Sequence, residues 1–339
     1  IQQQIHLRTK TNQRVMLNIA RLWDIGRQAK NSDDILNGLH PWGRNNELKF
    51  HNALPKLLIG LAISCLLLGW LIHSYIPYFV SICISSGFGF IAFLIYEPDD
   101  PIEEVIEYLE QRMMLLKFDL DFQSIPEIFP KTSNSVLAIN KLKQLFPVFN
   151  QGSISNEITM HASTTWLNEH GVHYPVMLFQ YQYVIELKVP NSDGKLTKIK
   201  EIEKNLFGVF IFESKGQGFA VSNKRNSFFY PYNFLWKSSD ILLNESLKIF
   251  GHDPFELAKT VSPMMTLKLI DFFQHQSGDF ISHYQENILL FLGEQNLFQT
   301  SNKKQLSDID NISELRGYLR TLSMPNYQQL RQNMLKFLE

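Results

Sequence analysis

The chain has almost no cysteine. Its two, Cys65 and Cys83, both fall inside one apolar stretch, so the rest has neither a disulfide framework nor a cysteine-based metal site to draw on. It also lacks a dominant charge. Against 32 Lys and Arg stand 33 Asp and Glu, a formal net charge of −1, and the strongly basic balance of a nucleic-acid binder is missing. Catalytic signatures are missing as well: no Walker loop, G-x-S-x-G elbow, H-E-x-x-H pair or kinase motif occurs. The first thirty residues are polar and carry no apolar core of the secretory-signal kind. The most informative gap is local. Between Lys56 and Glu97 there is no Asp, Glu, Lys or Arg.

That uncharged run, Leu57 to Tyr96, is 40 residues long. One helix needs about 20 apolar residues to cross the hydrocarbon core of a bilayer, so the run has room for two crossings. His73-Ser74-Tyr75-Ile76-Pro77 interrupts it with polar groups, an aromatic and a helix breaker. The expectation is one helix near Leu57–Ile72 and another near Tyr78–Tyr96, with Trp70, Tyr75 and Tyr78 anchoring one interface and Tyr96 the other. A helical hairpin in a soluble core would carry a polar stripe, and this run shows none. Small residues recur every four: Gly60 and Ser64, Cys65 and Gly69, then Ser81, Ser85 and Gly89. Gly60, Ser64, Gly69, Ser81, Ser85 and Gly89 are therefore the candidates for close helix packing, within the pair or between copies of the chain. Residues 1–56 carry nine Lys and Arg against four Asp and Glu. The positive-inside rule then puts both ends of the pair, and the large domain, on the cytoplasmic side of a membrane crossed twice.

Two arms flank the run. Ile102, Ile106, Leu109, Met113 and Leu116 are spaced four, three, four, three, a narrow apolar seam and a candidate partner contact. Asp99, Asp100, Glu103 and Glu104 precede or open that helix, as suits its N-terminus. Upstream, Val15, Ile19, Leu22, Gly26 and Ala29 repeat the spacing on a basic segment. The two arms either pack together as a short stalk or each cover the main domain. Residues 31–46, with Asp33-Asp34, Gly38 and His40-Pro41-Trp42-Gly43-Arg44, are expected to be a turn-rich linker.

From Phe118 on the pattern changes. Pro126, Pro130 and Pro147 punctuate a short helical stretch, Ser135 to Phe146. Val176 to Val189 and Leu206 to Phe212 are rich in β-branched and aromatic residues and predict strands, joined over Asn191-Ser192-Asp193-Gly194. Gly216-Gln217-Gly218 is expected to turn the second of these back into Phe219 to Ser222 as a hairpin. Asn244 to Phe250 reads as another strand. Asp253 and Ser262, each followed by Pro, predict two capped helices starting at Pro254 and Pro263. Phe280 to Tyr284 and Ile288 to Leu292 form a further strand pair, and residues 311–339 two helices split at Met324-Pro325. The expected fold is an α+β soluble domain attached to an N-terminal two-helix transmembrane hairpin. Its divisions are a basic helical arm and linker (1–54), the hairpin (55–97), a juxtamembrane helix (98–118), the α+β domain (119–300) and C-terminal helices (301–339). Aromatics make up 13% of the chain, with 26 Phe, enough for a well-filled core.

Asn205-Leu206-Phe207-Gly208-Val209-Phe210-Ile211-Phe212, Ile249-Phe250-Gly251-His252-Asp253-Pro254-Phe255-Glu256-Leu257-Ala258, Ser262-Pro263-Met264-Met265 and the closing Asn296-Leu297-Phe298 together resemble the bacterial membrane proteins grouped as domain of unknown function 3137. The resemblance covers roughly residues 55 to 300, and Lys259 stands where relatives carry Arg. It implies two membrane passes near the N-terminus. It brings no assigned activity, and suggests an envelope role beside LemA-type membrane proteins.

Groups with chemical potential are few. His161, Glu169, His170 and His173 form the richest polar cluster, but Gly171 breaks helical spacing and no second cluster matches it, so they read as loop residues. His252-Asp253 reads as a capped turn. Lys224-Arg225 beside Phe228, Phe229, Tyr230 and Tyr232 reads as a surface loop packed by its aromatics. No cofactor and no metal is expected. The function expected is that of a membrane-anchored, non-enzymatic interaction or scaffold protein, in contact with the lipid bilayer and with itself or another membrane protein, LemA-like among the candidates. The alternative is a tethered sensor that binds a lipid or small ligand in its soluble domain.

Overall fold

The structure, a computed structural model, describes residues 8–40, 42–43, 45–72, 77–125, 135–190, 196–214, 217–224, 232–238, 241–301 and 309–339. The chain divides into two compact units, Ile1–Lys117 with Asn302–Leu322, and Phe118–Ser301 with Ser323–Glu339. The two C-terminal helices, expected over 301–339, are shared between the units. One belongs to each unit.

The first unit begins with α1 (Lys10–Gln28), capped by Thr9, whose hydroxyl accepts from Asn12 N. Val15, Ile19, Leu22, Gly26 and Ala29 are all buried, as their spacing predicts. The linker is more ordered than expected. Asn31 and Asp34 close a capping box that starts α2 (Ser32–Gly38), and Ile35 anchors it in the core. Then come α3 (Ala53–Leu71) and α4 (Tyr78–Ile95), both long and apolar enough to cross a membrane. Residues His73 to Ile76, with the anchor Tyr75, lie outside the described residues. The helix expected over 98–118 is α5 (Asp100–Phe118). It packs on α1 through Trp23 and Tyr108, stacked at 4.3 Å, and through Arg112, which donates to the carbonyls of Gly26 and Ala29. A Cβ on Gly26 would run into the Tyr108 ring, so only glycine allows that approach. The last helix of this unit, α10 (Ile312–Arg320), comes from the far end of the sequence. Arg316 donates to Leu36 O at 2.9 Å, and residues 46–49 pair with 310–312 through Glu47 and Asn311, Leu48 and Asp310, and the Lys49–Asp310 ion pair.

The second unit is one eight-stranded sheet in the order β1-β2-β3-β8-β7-β4-β6-β5, every pair antiparallel. The strands are β1 (Ser155–Leu167), β2 (His173–Pro190), β3 (Leu196–Phe212), β4 (Phe219–Ser222), β5 (Phe234–Trp236), β6 (Lys248–Gly251), β7 (Gly278–Ser282) and β8 (Ile288–Gly293). One face carries Phe179, Tyr181, Phe210, Phe212 and Leu290, covered by Leu142 of α6 (Ser135–Leu145) and by Phe146, Val148 and Phe149 around a 3-10 turn. The other face carries Phe280 and Phe291, which meet Phe272 of α9 (Pro263–His275) and, for Phe280, Phe337 of α11 (Pro325–Leu338). Two short helices, α7 (Ile241–Ser246) and α8 (Pro254–Thr260), complete the domain. The mixed α+β class is as expected.

Two expectations about strands need correction, and one long strand was not expected. Phe219–Ser222 is a strand, but it does not pair with Leu206–Phe212. β8 takes the place beside β3, because it is buried at every position and a strand apolar on both faces belongs inside the sheet. Asn244 to Phe250 is only half strand, because the Asn244 side chain bonds Ser238 N and O and holds α7 instead. And β1 has no counterpart in the expected elements: it is an edge strand whose first half is largely exposed, so its sequence lacks clean alternation. The turn at Asn191–Gly194 and Gly216 lie outside the described residues.

Candidate functional site

The start of α3 and the end of α4 meet in a polar knot. Asn52 Nδ2 donates to Glu97 O at 2.7 Å and Asn52 Oδ1 accepts from Glu97 N at 3.2 Å. Arg8 Nε lies 2.7 Å from Glu97 Oε1, whose side chain is 5% exposed against 30% for Arg8. Asn12 joins from α1, accepting from His51 N at 2.9 Å, and its own Nδ2 has no partner among the described residues. The charge gap in the sequence therefore ends on a buried, paired carboxylate, which fixes α1 to both apolar helices.

Between α3 and α4 the contact is made by small groups. Pro55, Ala62 and Gly69 are buried on α3, Ser85 and Ala92 on α4, each set at a spacing of seven. Ser85 Oγ donates to Ala62 O at 2.8 Å, and a Cβ on Gly69 would collide with the Ser81 side chain. Of the six candidates, Gly69, Ser81 and Ser85 are brought together. Gly60, Ser64 and Gly89 are not: nothing lies within 4 Å of where a Cβ on Gly60 or Gly89 would stand, and Ser64 bonds the Gly60 carbonyl of its own helix. A spacing of four misses Ala62 and Ala92, which a spacing of seven, counted from Pro55 on α3 and from Ser85 on α4, would have found. Leu58, Leu66 and Phe88 are half-buried, but most of the large side chains face outward. Trp70 is 67%, Phe79 72% and Phe90 63% exposed.

The seam of α5 is placed differently from its candidate role. Ile102, Ile106, Leu109 and Met113 are buried and Leu116 is half-buried, all within the chain itself. A contact with another protein would first have to expose them, because α1 occupies the same side of the helix.

In the sheet domain the polar groups serve the fold. Asp253 Oδ1 accepts from Phe255 N at 2.7 Å and Ser262 Oγ from Met265 N at 3.2 Å, the two caps expected ahead of Pro254 and Pro263. Asn168 shapes the turn before β2 by accepting from the backbone of His170 and Val172. His170 and His173 are exposed, while His161 is half-buried on β1 and its pKa is pushed down by that burial. Tyr181 donates to the carbonyls of Phe149 and Gln151, Tyr232 to that of Ser282, and burial raises both phenols. Among the described residues no group of three or more His, Cys, Asp or Glu is placed to hold a metal ion. Arg225, Phe228, Phe229 and Tyr230 lie outside the described residues.

Compared with known proteins, the chain matches no family model, no curated protein and no solved structure. The resemblance to domain of unknown function 3137 therefore rests on its quoted residues alone.

Proposed function

We propose that α3 and α4 form a transmembrane hairpin that holds the α+β domain at the cytoplasmic face of a bacterial inner membrane, where the protein works as a non-enzymatic scaffold. The observation that carries this reading is the inverted packing of the two helices. Most of their large apolar side chains point out while the fully buried positions are small, an arrangement that water penalises and lipid accepts. The knot at Asn52 and Glu97 supports one shared boundary for both helices. Exposed apolar side chains on α7, α8 and α9, namely Ile241, Phe255, Met264 and Leu267, support a role in holding a partner, itself or a second membrane protein. The aromatic residues that would line a sensor's cavity pack on one another instead, Phe149 against Phe179, Tyr181 and Phe210.

The test uses the full chain with Cys65→Ala and Cys83→Ala and single cysteines added back. A membrane-impermeant maleimide should label Leu267→Cys in inside-out vesicles but not in intact cells, and should label Phe90→Cys in neither. Labelling of Leu267→Cys in intact cells would reverse the orientation, and free labelling of Phe90→Cys would remove the anchor. The mass of the detergent-purified particle decides the scaffold: a clean monomer without a co-purifying protein would end that reading.

A further inference from the structure

We infer that the exposed face of α1 is a contact surface for anionic lipid headgroups, an inference that rests on the membrane placement proposed above. Lys10, Arg14, Leu17 and Arg21 are all exposed, and their spacing of four, three and four puts them on one stripe opposite the buried Val15–Ile19–Leu22 face. From Arg8 to Lys30 the segment holds six basic residues and a single acid, Asp24. Its partner should therefore be negatively charged.

Geometry selects the membrane surface among negative partners. The Arg8–Glu97 pair and the Asn12–His51 bond hold the first turn of α1 where both apolar helices stop. At about 1.5 Å per residue, Lys10 and Arg14 lie within ~9 Å of that level whatever the tilt of the helix. The headgroup layer is about 5–8 Å deep on each side, and charges act over roughly 8 Å at physiological salt. Both cations are thus within reach of lipid phosphate. Arg21 is held ready by Trp42: its guanidinium carbon sits 4.1 Å from the ring centroid, and Trp42 Nε1 donates to Gly38 O. Leu17, 70% exposed between Arg14 and Arg21, is out of place in water. A basic stripe with an exposed apolar side chain among its cations offers a headgroup layer both charge attraction and an apolar contact.

The experiment places an environment-sensitive dye at Leu17→Cys in the full chain, with Cys65→Ala and Cys83→Ala. The protein is reconstituted into vesicles of phosphatidylcholine alone or in equal parts with phosphatidylglycerol, each containing brominated lipid as quencher. A second preparation carries the dye at Phe90→Cys. The expected result is quenching at position 17 only with phosphatidylglycerol, reversed by high salt. Combined Lys10→Gln, Arg14→Gln and Arg21→Gln should lower the docked-to-undocked ratio on the order of 100-fold, from about fivefold per basic residue. All three are exposed, so their removal leaves the folded core intact. An unquenched dye at 17 beside a quenched one at 90 overturns this inference alone. A dye at 90 that is unquenched in both lipids overturns the membrane placement and this inference with it. Quenching at 17 that is equal in both lipids and indifferent to the triple variant overturns the anionic contact.

Discussion

The two apolar helices and the sheet domain are packed in opposite senses. In the sheet domain large residues are inside: Phe179, Phe210 and Phe280 are fully buried, while the polar ladder of Gln180 with Asn205 and Gln182 with Glu203 is only partly covered. In α3 and α4 small residues are inside and Phe79, Phe90 and Trp70 are outside. On the membrane placement proposed above, the difference follows from the solvent each region meets. In water the hydrophobic effect drives area out of contact with solvent, and the largest apolar side chains contribute most. In lipid that drive between helices vanishes, and close approach of backbones, with its dispersion contacts and short hydrogen bonds, takes over. One chain holds both solutions, so the same type of substitution should have different consequences in the two regions.

The largest expected effect is in the sheet. Phe210 contacts Phe146, Phe149, Phe179 and Phe212 and is fully buried. Phe210→Ala should cost about 3–5 kcal/mol, the range for deleting a buried aromatic side chain. It should abolish cooperative thermal unfolding of the sheet domain, measured by near-ultraviolet circular dichroism on the full chain in detergent. Phe90→Ala removes a side chain of the same size from α4 and should leave that transition unmoved. Equal losses from the two would mean that α4 belongs to an aqueous core, and the contrast would collapse.

The sequence made this contrast legible where one residue type decides the local outcome. The charge gap marked α3 and α4 to within about four residues, and the Asp-Pro and Ser-Pro pairs marked the starts of α8 and α9, because a cap and a fixed φ are local physics. The buried faces of α1 and α5 were legible from their period. Pairing was not. That β8 lies between β3 and β7 depends on burial of both its faces, which a short apolar run expresses no differently from a simple hairpin strand. The clasp of 310–312 on 46–49 was hidden for a related reason: polar residues about 265 positions apart carry no periodic signal. Gly208 had a signal only in the motif around it. A Cβ there would run into the Phe291 carbonyl of β8 and sit 2.7 Å from Phe179 Cζ, so glycine lets β8 and the aromatic layer close on β3.

A smaller effect should separate the glycines within the α3–α4 pair. Gly69→Ala forces a methyl into Ser81, and Gly60→Ala adds one to open space. Overpacking costs typically about 1–3 kcal/mol. Gly69→Ala should therefore weaken the α3–α4 contact by roughly that amount, read as loss of cross-linking between cysteines placed at Ala62 and Ser85, while Gly60→Ala should change nothing. If Gly60→Ala disrupted the particle mass instead, the exposed glycine would be a contact between copies, and the stripe at a spacing of four would regain its meaning.

The smallest expected effect concerns a buried, hydrogen-bonded histidine of the sheet domain. His283 is 7% exposed and its Nδ1 accepts from Gln285 N and Glu286 N, so a proton on that nitrogen would break both bonds. Burial pushes its pKa below the ordinary 6.5, with Glu286 opposing to a lesser degree. The unfolded chain then binds a proton more readily than the folded one, and stability falls as pH drops from about 6.5 toward the folded pKa. The slope is at most about 1.4 kcal/mol per pH unit for one proton. His283→Asn retains an acceptor suited to the same turn and should flatten the slope between neutral and mildly acidic pH in denaturant titrations, leaving the share due to His161, whose pKa is lowered for the same reason. A slope unchanged by His283→Asn would show that the turn keeps its bonds when the ring is charged, and that buried polar groups in the sheet domain are less constrained than its apolar core.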